Sequence, residues 1–248
     1  MVPNGEFIII AIYVDDLFLT ETGLELLNEF KKRTVSHFEM SDLGDLTYYI
    51  GIEVSQENDC VEIKQERYAM KILKEAVMED CNATLYPKEK HLKLSKAKVE
   101  PEVEATQYRK VVGCLFYLLH TRLDLTYSVG VVSRYMQSPR ESHAHAVKQI
   151  LHYLKATTVF RIKYNYSNDM KLVGYSNSSH NVDIDNGRST NGHVFYLGTS
   201  PITWCLQKQT SVALCSCEAD FMAATAAMYQ AVWLRELLAK VMAWIDKR

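Results

Sequence analysis

With only ten glycines and five prolines in 248 residues, the chain cannot be a collagen-like rod or a low-complexity linker. Six cysteines (Cys60, Cys81, Cys114, Cys205, Cys215 and Cys217) are too few and too scattered for a disulfide framework or a paired CxxC metal site, so free thiols are expected. No stretch approaches the roughly 18 to 20 consecutive apolar residues that cross a bilayer, which favours a soluble location with no membrane partner. Glycine-rich phosphate loops and G-x-S-x-G elbows are absent, so nucleotide hydrolysis and acyl transfer have no support, and no small-molecule substrate is evident. What is present is the composition of a globular protein, 48% hydrophobic and 23% charged, long enough for one large domain or two small ones.

The apolar run Ile8 to Val14 starts close to the amino terminus. It has no basic residue ahead of it and two acids, Asp15 and Asp16, directly behind, so it reads as a strand and not as a signal sequence. Residues 6–20 predict strand, tight turn, strand. A helix near 22–36 follows, then extended segments near 47–55 and 60–64 and a helix at about 65–79. The lysine-rich stretch Tyr86 to Lys98, between Pro87 and Pro101, reads as a connection. Helices are expected near 105–120, 124–137 and 142–156. Strands are expected at Lys171 to Tyr175, Gly192 to Leu197 and Ile202 to Cys205, before a helix from about Glu218 to Leu238.

The net charge of −2 hides an uneven distribution: residues 1–57 carry −8, residues 58–165 carry +6 and residues 166–248 carry none. Residues 105–163 hold nine Lys or Arg against Asp124 and Glu141 alone. In the last helix of that segment, Ser142 can act as the cap and Val147, Ile150, Leu151 and Leu154 form an apolar stripe. His145, Lys148, His152 and Lys155 line the opposite side. A helix that docks by one face and offers cations on the other suits a phosphate backbone.

Tyr13-Val14-Asp15-Asp16 is the strongest chemical feature. Two adjacent carboxylates beside an apolar strand repel each other, and a divalent metal removes that penalty. The turn resembles the catalytic turn of the reverse transcriptase palm, and the residues after it resemble the Pol polyprotein of copia-type retrotransposons. The matching segments are Phe38-Glu-Met-Ser-Asp-Leu-Gly44, Tyr49-Ile-Gly-Ile-Glu53, Gln65-Glu-Arg-Tyr68 with Ile72-Leu73, Tyr108-Arg-Lys-Val-Val-Gly113, Thr121-Arg-Leu-Asp-Leu125, Val132-Ser-Arg-Tyr-Met136 and Tyr153-Leu-Lys-Ala-Thr157. The resemblance runs from about residue 7 to residue 240.

That resemblance implies an α+β chain of three parts: a partial palm (1–95), a helical thumb or connection (96–165) and an incomplete ribonuclease H-like mixed sheet with a helix (166–248). It implies Mg²⁺ at Asp15 and Asp16 for phosphoryl transfer. It also implies an RNA–DNA hybrid or DNA duplex as partner, touched by Arg109, Lys110, Lys148, His152 and Lys155. The family's third polymerase Asp is expected ahead of Met1, so polymerisation by these residues alone is not expected.

The last part resembles the family's ribonuclease H domain through Gly174-Tyr-Ser176, Arg188-Ser-Thr-Asn-Gly192, Val194-Phe-Tyr-Leu-Gly198, Ile202-Thr-Trp204, Lys208-Gln209 and Val212 to Met222. Where the family's first acid stands, this chain has Asn177, and the next family acid is Ser179. An amide supplies an oxygen but no charge to a site that must concentrate two dications. Glu218 and Asp220 both fit the helix-borne acid, with Glu218 favoured as the Mg²⁺ ligand, and the remaining acids are expected beyond Arg248. The family's Trp, Pro and Gly are replaced by His180, Leu123 and Ala156. The expected function is therefore a reverse transcriptase/ribonuclease H segment without catalysis, the alternative being a non-catalytic nucleic-acid-binding protein that uses the basic surface.

The other chemical residues read as structural. Cys215 and Cys217 are expected on alternate faces of a strand, His143 and His145 on the surface, and Trp204, Trp233 and Trp244 in the core or on helix faces.

Overall fold

The computed structural model describes residues 7–21, 23–90, 92–96, 99–166 and 170–245, the last four of these by backbone alone, so the Trp244 side chain lies outside the described residues. The architecture is α+β, with three antiparallel sheets and six helices among the described residues. The chain divides into two compact units, Met1–Leu46 with Val232–Arg248, and Thr47–Ala231.

The first unit is built on a hairpin. Strands β1 (Ile8–Tyr13) and β2 (Asp16–Glu21) pair from Ile8↔Glu21 to Tyr13↔Asp16, leaving only Val14 and Asp15 to turn the chain. Val14 takes φ +50°, a left-handed conformation that a β-branched residue adopts at a cost of order 1–3 kcal/mol. Helix α1 (Leu24–His37) follows. In the segment after it, the Asp42 carboxylate accepts from Lys31 Nζ (2.8 Å) and from the amide of Gly44 (3.0 Å), whose φ of +74° closes the turn. Lys31 first, and then the Gly44 amide, hold the Asp42 carboxyl below its ordinary range.

In the second unit the expected strand over 47–55 is instead a tight hairpin, β3 (Tyr48–Tyr49) and β4 (Ile52–Gln56). Ile50 and Gly51 both have positive φ (+44° and +80°), as the right-handed strand twist demands of a two-residue turn. Strand β5 (Cys60–Lys64) pairs with β4 and leads into α2 (Glu66–Glu75). Helix α3 (Ala105–Leu118) comes next, with Glu104 capping the amides of Thr106 and Gln107. The helix expected over 124–137 is broken into a 3-10 turn at Leu123–Leu125, α4 (Thr126–Val132) and a second 3-10 turn at Ser133–Tyr135. Helix α5 spans Glu141–Ala156.

Helices α2 to α5 share one core, in which Leu73, Leu115, Leu118, Leu125, Ile150 and Leu154 are among the most fully buried side chains. The stripe Val147, Ile150, Leu151 and Leu154 faces this core as its spacing requires. An unforeseen strand, β6 (Arg161–Asn165), then returns the chain to the sheet of β3 to β5 and pairs with β5 from Cys60↔Asn165 to Lys64↔Arg161. The helical core is thus bracketed in sequence by two hydrogen-bonded strands.

The third sheet contains β7 (Leu172–Ser179), β8 (Thr190–Leu197) and β9 (Ser200–Lys208), each longer than its apolar centre predicts. Its β9 edge docks on the helices: Trp204 Nε1 donates to the Leu119 carbonyl at 3.1 Å. Gly130 of α4 faces this edge too: a Cβ there would lie 2.7 Å from Leu206 Cδ2, the mobile end of that side chain. The final helix α6 (Ser216–Ile245) is longer at both ends than expected. Cys217 lies in its first turn and Cys215 just ahead of it, both exposed, which corrects the expectation of a strand. All six cysteines are free.

Candidate nucleic-acid interface and acidic sites

Asp15 and Asp16 occupy the exposed end of the β1–β2 hairpin, Asp15 in the turn and Asp16 as the first residue of β2. The register explains their place, since any longer loop would move Asp16 out of the pair with Tyr13. Two carboxylates can hold one Mg²⁺ when phosphate oxygens complete its shell, but a two-ion arrangement needs more. Among the described residues, the one group of three that could hold a metal is Glu57, Asp59 and Cys60 in the β4–β5 turn, so no third such side chain closes on this pair. The donor set is short of a two-metal site.

The acids of the second unit are divided. Ser178 Oγ on β7 donates to Asp220 Oδ1 at 2.6 Å, joining strand and helix. Glu218 instead folds back to accept from the Leu214 amide at 2.6 Å, capping the loop that enters α6. Asn177 is adjacent to Ser178, and strand alternation turns its side chain to the opposite sheet face from the Asp220 contact. Asn177, Glu218 and Asp220 therefore do not share a cluster.

The helix α5 cations are only partly free. Lys148 is exposed and Lys155 half-exposed, and neither has a carboxylate partner among the described residues. His145 stands 3.9 Å from Glu141 one turn earlier. His152, however, donates from Nδ1 to the Asn82 carbonyl at 2.6 Å, and the backbone amide of Thr84 donates to the His152 carbonyl, so the segment after α2 covers part of the row. On α3, Arg109 is exposed, whereas Lys110 is paired with Glu75 at 3.0 Å. Lys110 first, and Lys71 as well, hold the Glu75 carboxyl below its ordinary range.

Two local expectations are corrected here. The cap of α5 is Arg140, not Ser142, because Ser142 lies inside the first turn and gives its amide to Glu100 Oε2 at 3.0 Å. His143 is fully buried instead of exposed. Its ring stacks on Tyr135 with centroids 3.9 Å apart, Nε2 donates to the Ser95 carbonyl (2.6 Å), and Nδ1 accepts from the Arg140 amide (2.9 Å). Burial pushes its pKa down despite the Ser95 carbonyl and the charge of Glu100.

Sequence reasoning also missed a buried carboxylate, Asp183. Its side chain is paired with Lys208, lies 3.7 Å from Arg134, and accepts from the amides of Asp185 (3.0 Å) and Asn186 (3.2 Å). Burial pushes its pKa up, but Lys208 and the two amides outweigh this and leave it below the usual carboxylate range. The Asp-x-Asp-Asn-Gly run at 183–187 is a turn signature that could have revealed it.

Several motif segments behind the resemblance meet inside the helical core. Thr121 Oγ1 donates to Gln65 Oε1 (2.9 Å), and both residues are buried. Arg122, also buried, grips Asp124 with two nitrogens and donates to the carbonyl and hydroxyl of Thr157. Tyr108 donates to the Val132 carbonyl at 2.7 Å.

Residues 2–90 of this α+β chain, which include the hairpin that carries Asp15 and Asp16, match the family Reverse transcriptase (RNA-dependent DNA polymerase). The chain as a whole belongs with the copia-type Pol polyproteins of retrotransposons. It is 33% identical over 244 residues, 95% of its length, to the Retrovirus-related Pol polyprotein from transposon TNT 1-94 of Nicotiana tabacum, of which it covers 18%. It is 32% identical over 242 residues, 97% of its length, to the corresponding protein from transposon RE1 of Arabidopsis thaliana, of which it covers 16%. The chain thus spans less than a fifth of these relatives. An uncharacterized mitochondrial protein of Arabidopsis thaliana is 29% identical over 226 residues, 90% of this chain and 93% of that protein. No solved structure matches the chain.

Proposed function

We propose that this segment of reverse transcriptase lineage holds a nucleic-acid duplex and does not cleave it. On this reading residues 1–95 derive from a palm, 96–165 from a thumb or connection and 166–248 from a ribonuclease H domain. The observation that carries duplex holding is the pair Lys148 and Lys155, seven residues apart on one side of α5, exposed or half-exposed and with no carboxylate partner among the described residues. Their spacing of about 10 Å along the helix matches a run of phosphates better than a single anion. Asp15 and Asp16 are the residues that would hold Mg²⁺, which when bound would neutralise charge on a phosphoryl group.

Loss of hybrid cleavage rests on Asn177, whose amide brings no charge to the metal, and on the engagement of Glu218 and Asp220 by Leu214 and Ser178. Purified full chain incubated with an RNA–DNA hybrid in Mg²⁺ should give no product. Cleavage that is abolished by Glu218→Ala would overturn the proposal.

A further inference from the structure

Between residues Lys88 and 92–94, helix α4 and the loop at 182–183 lies a recess of about 150 Å³, wholly within the second unit. A liquid water molecule occupies roughly 30 Å³, so the recess has room for a group of several heavy atoms. Its walls include Leu94, Val131 and Tyr135, and its polar groups are three cations, Lys88, Lys93 and Arg134, against one carboxylate, Asp183. That carboxylate is already neutralised by Arg134, Lys208 and two backbone amides.

Lys88 is the unusual member. Its ammonium lies 5.1 Å from the centroid of the Tyr127 ring, and no carboxylate among the described residues pairs with it. Burial alone pushes its pKa down. A half-buried ammonium without an anion is a costly arrangement for a fold to keep, and it is relieved when an anion enters beside it. Lys93, which is exposed and lines the same recess, adds a second positive charge.

We propose that this recess binds a phosphate group, seated against Lys88 and flanked by Lys93 and Arg134. The phosphate can be the free ion or the terminal group of a nucleic-acid strand, since both present the same doubly charged head. This site is separate from the α5 cations and stands whether or not those hold a duplex.

Thermal melts of the full chain in inorganic phosphate, compared with chloride at equal ionic strength, test the proposal. Wild type should gain about 3 °C or more at saturating phosphate, and Lys88→Met should gain less than about 1 °C while melting no lower than wild type without phosphate. Equal gains in both proteins, or none in either, would overturn it. An independent readout needs no variant: phosphate should slow acetylation of Lys88 by an amine-reactive ester about tenfold relative to exposed Lys71, as read by mass spectrometry. Unchanged labelling would also overturn it. A 5′-phosphorylated oligonucleotide that protects Lys88 at tenfold lower concentration than inorganic phosphate identifies a strand end as the source, and protection by the free ion at equal or lower concentration identifies the ion.

Discussion

Arg122 shows what a motif residue does in this chain. Its guanidinium ties the 3-10 turn at 123–125 to the end of α5 through Asp124 and Thr157, beneath the rings of Phe160 and Tyr153 at 5.2 and 5.8 Å. Arg122→Ala removes both hydrogen bonds and packing and should cost about 3 kcal/mol in urea unfolding, whereas Asp124→Asn, half-exposed, should cost about 1 kcal/mol. His143 gives a pH dependence. Its folded pKa lies below the ordinary 6.5, so the unfolded chain takes up the proton first, and the stabilisation present above about pH 6.5 is lost as pH falls through the folded value. Burial lowers His193 in the same direction. Urea midpoints measured from pH 7.5 to 5 should fall, and His143→Phe should flatten the trend. The sequence reading placed His143 on the surface because its partners, Ser95, Arg140 and Tyr135, come from the preceding connection and turn, and periodicity on one helix says nothing of them.

At the scale of elements, the close approaches are set by missing side chains. A Cβ on Gly174 of β7 would lie 2.3 Å from Phe195 Cε1 on β8, so Gly174→Ala should destabilise by about 1–3 kcal/mol, and Phe195→Leu in the same chain should recover part of that loss. Non-additive unfolding energies for the two changes are the check. Strong periodicities made β5 and α3 legible almost to the residue, and the hairpin of β1 and β2 likewise. Strand β6 was not legible, because Arg161-Ile-Lys-Tyr-Asn alternates over only five residues and its partner β5 is nearly a hundred residues earlier. The break in the 124–137 helix was not legible either, because its 3-10 turns at 123–125 and 133–135 keep the helical spacing of apolar residues.

For the whole molecule, Asp15 and Asp16 lie at a hairpin end and Glu218 and Asp220 in the first turns of a helix, as the sequence pattern predicts, but the partners that occupy Glu218 and Asp220 were not legible. Those contacts arise from the loop before α6 and from β7, which no local pattern joins. The function proposed for the chain is the holding of nucleic acid. The most direct measurement is the affinity of the full chain for an RNA–DNA hybrid over a series of salt concentrations, alongside Lys148→Ala with Lys155→Ala. Affinity should fall linearly with salt on logarithmic axes, and the double variant should weaken binding and reduce that slope by about 2. Binding insensitive to salt, or a double variant with the wild-type slope, would contradict the account.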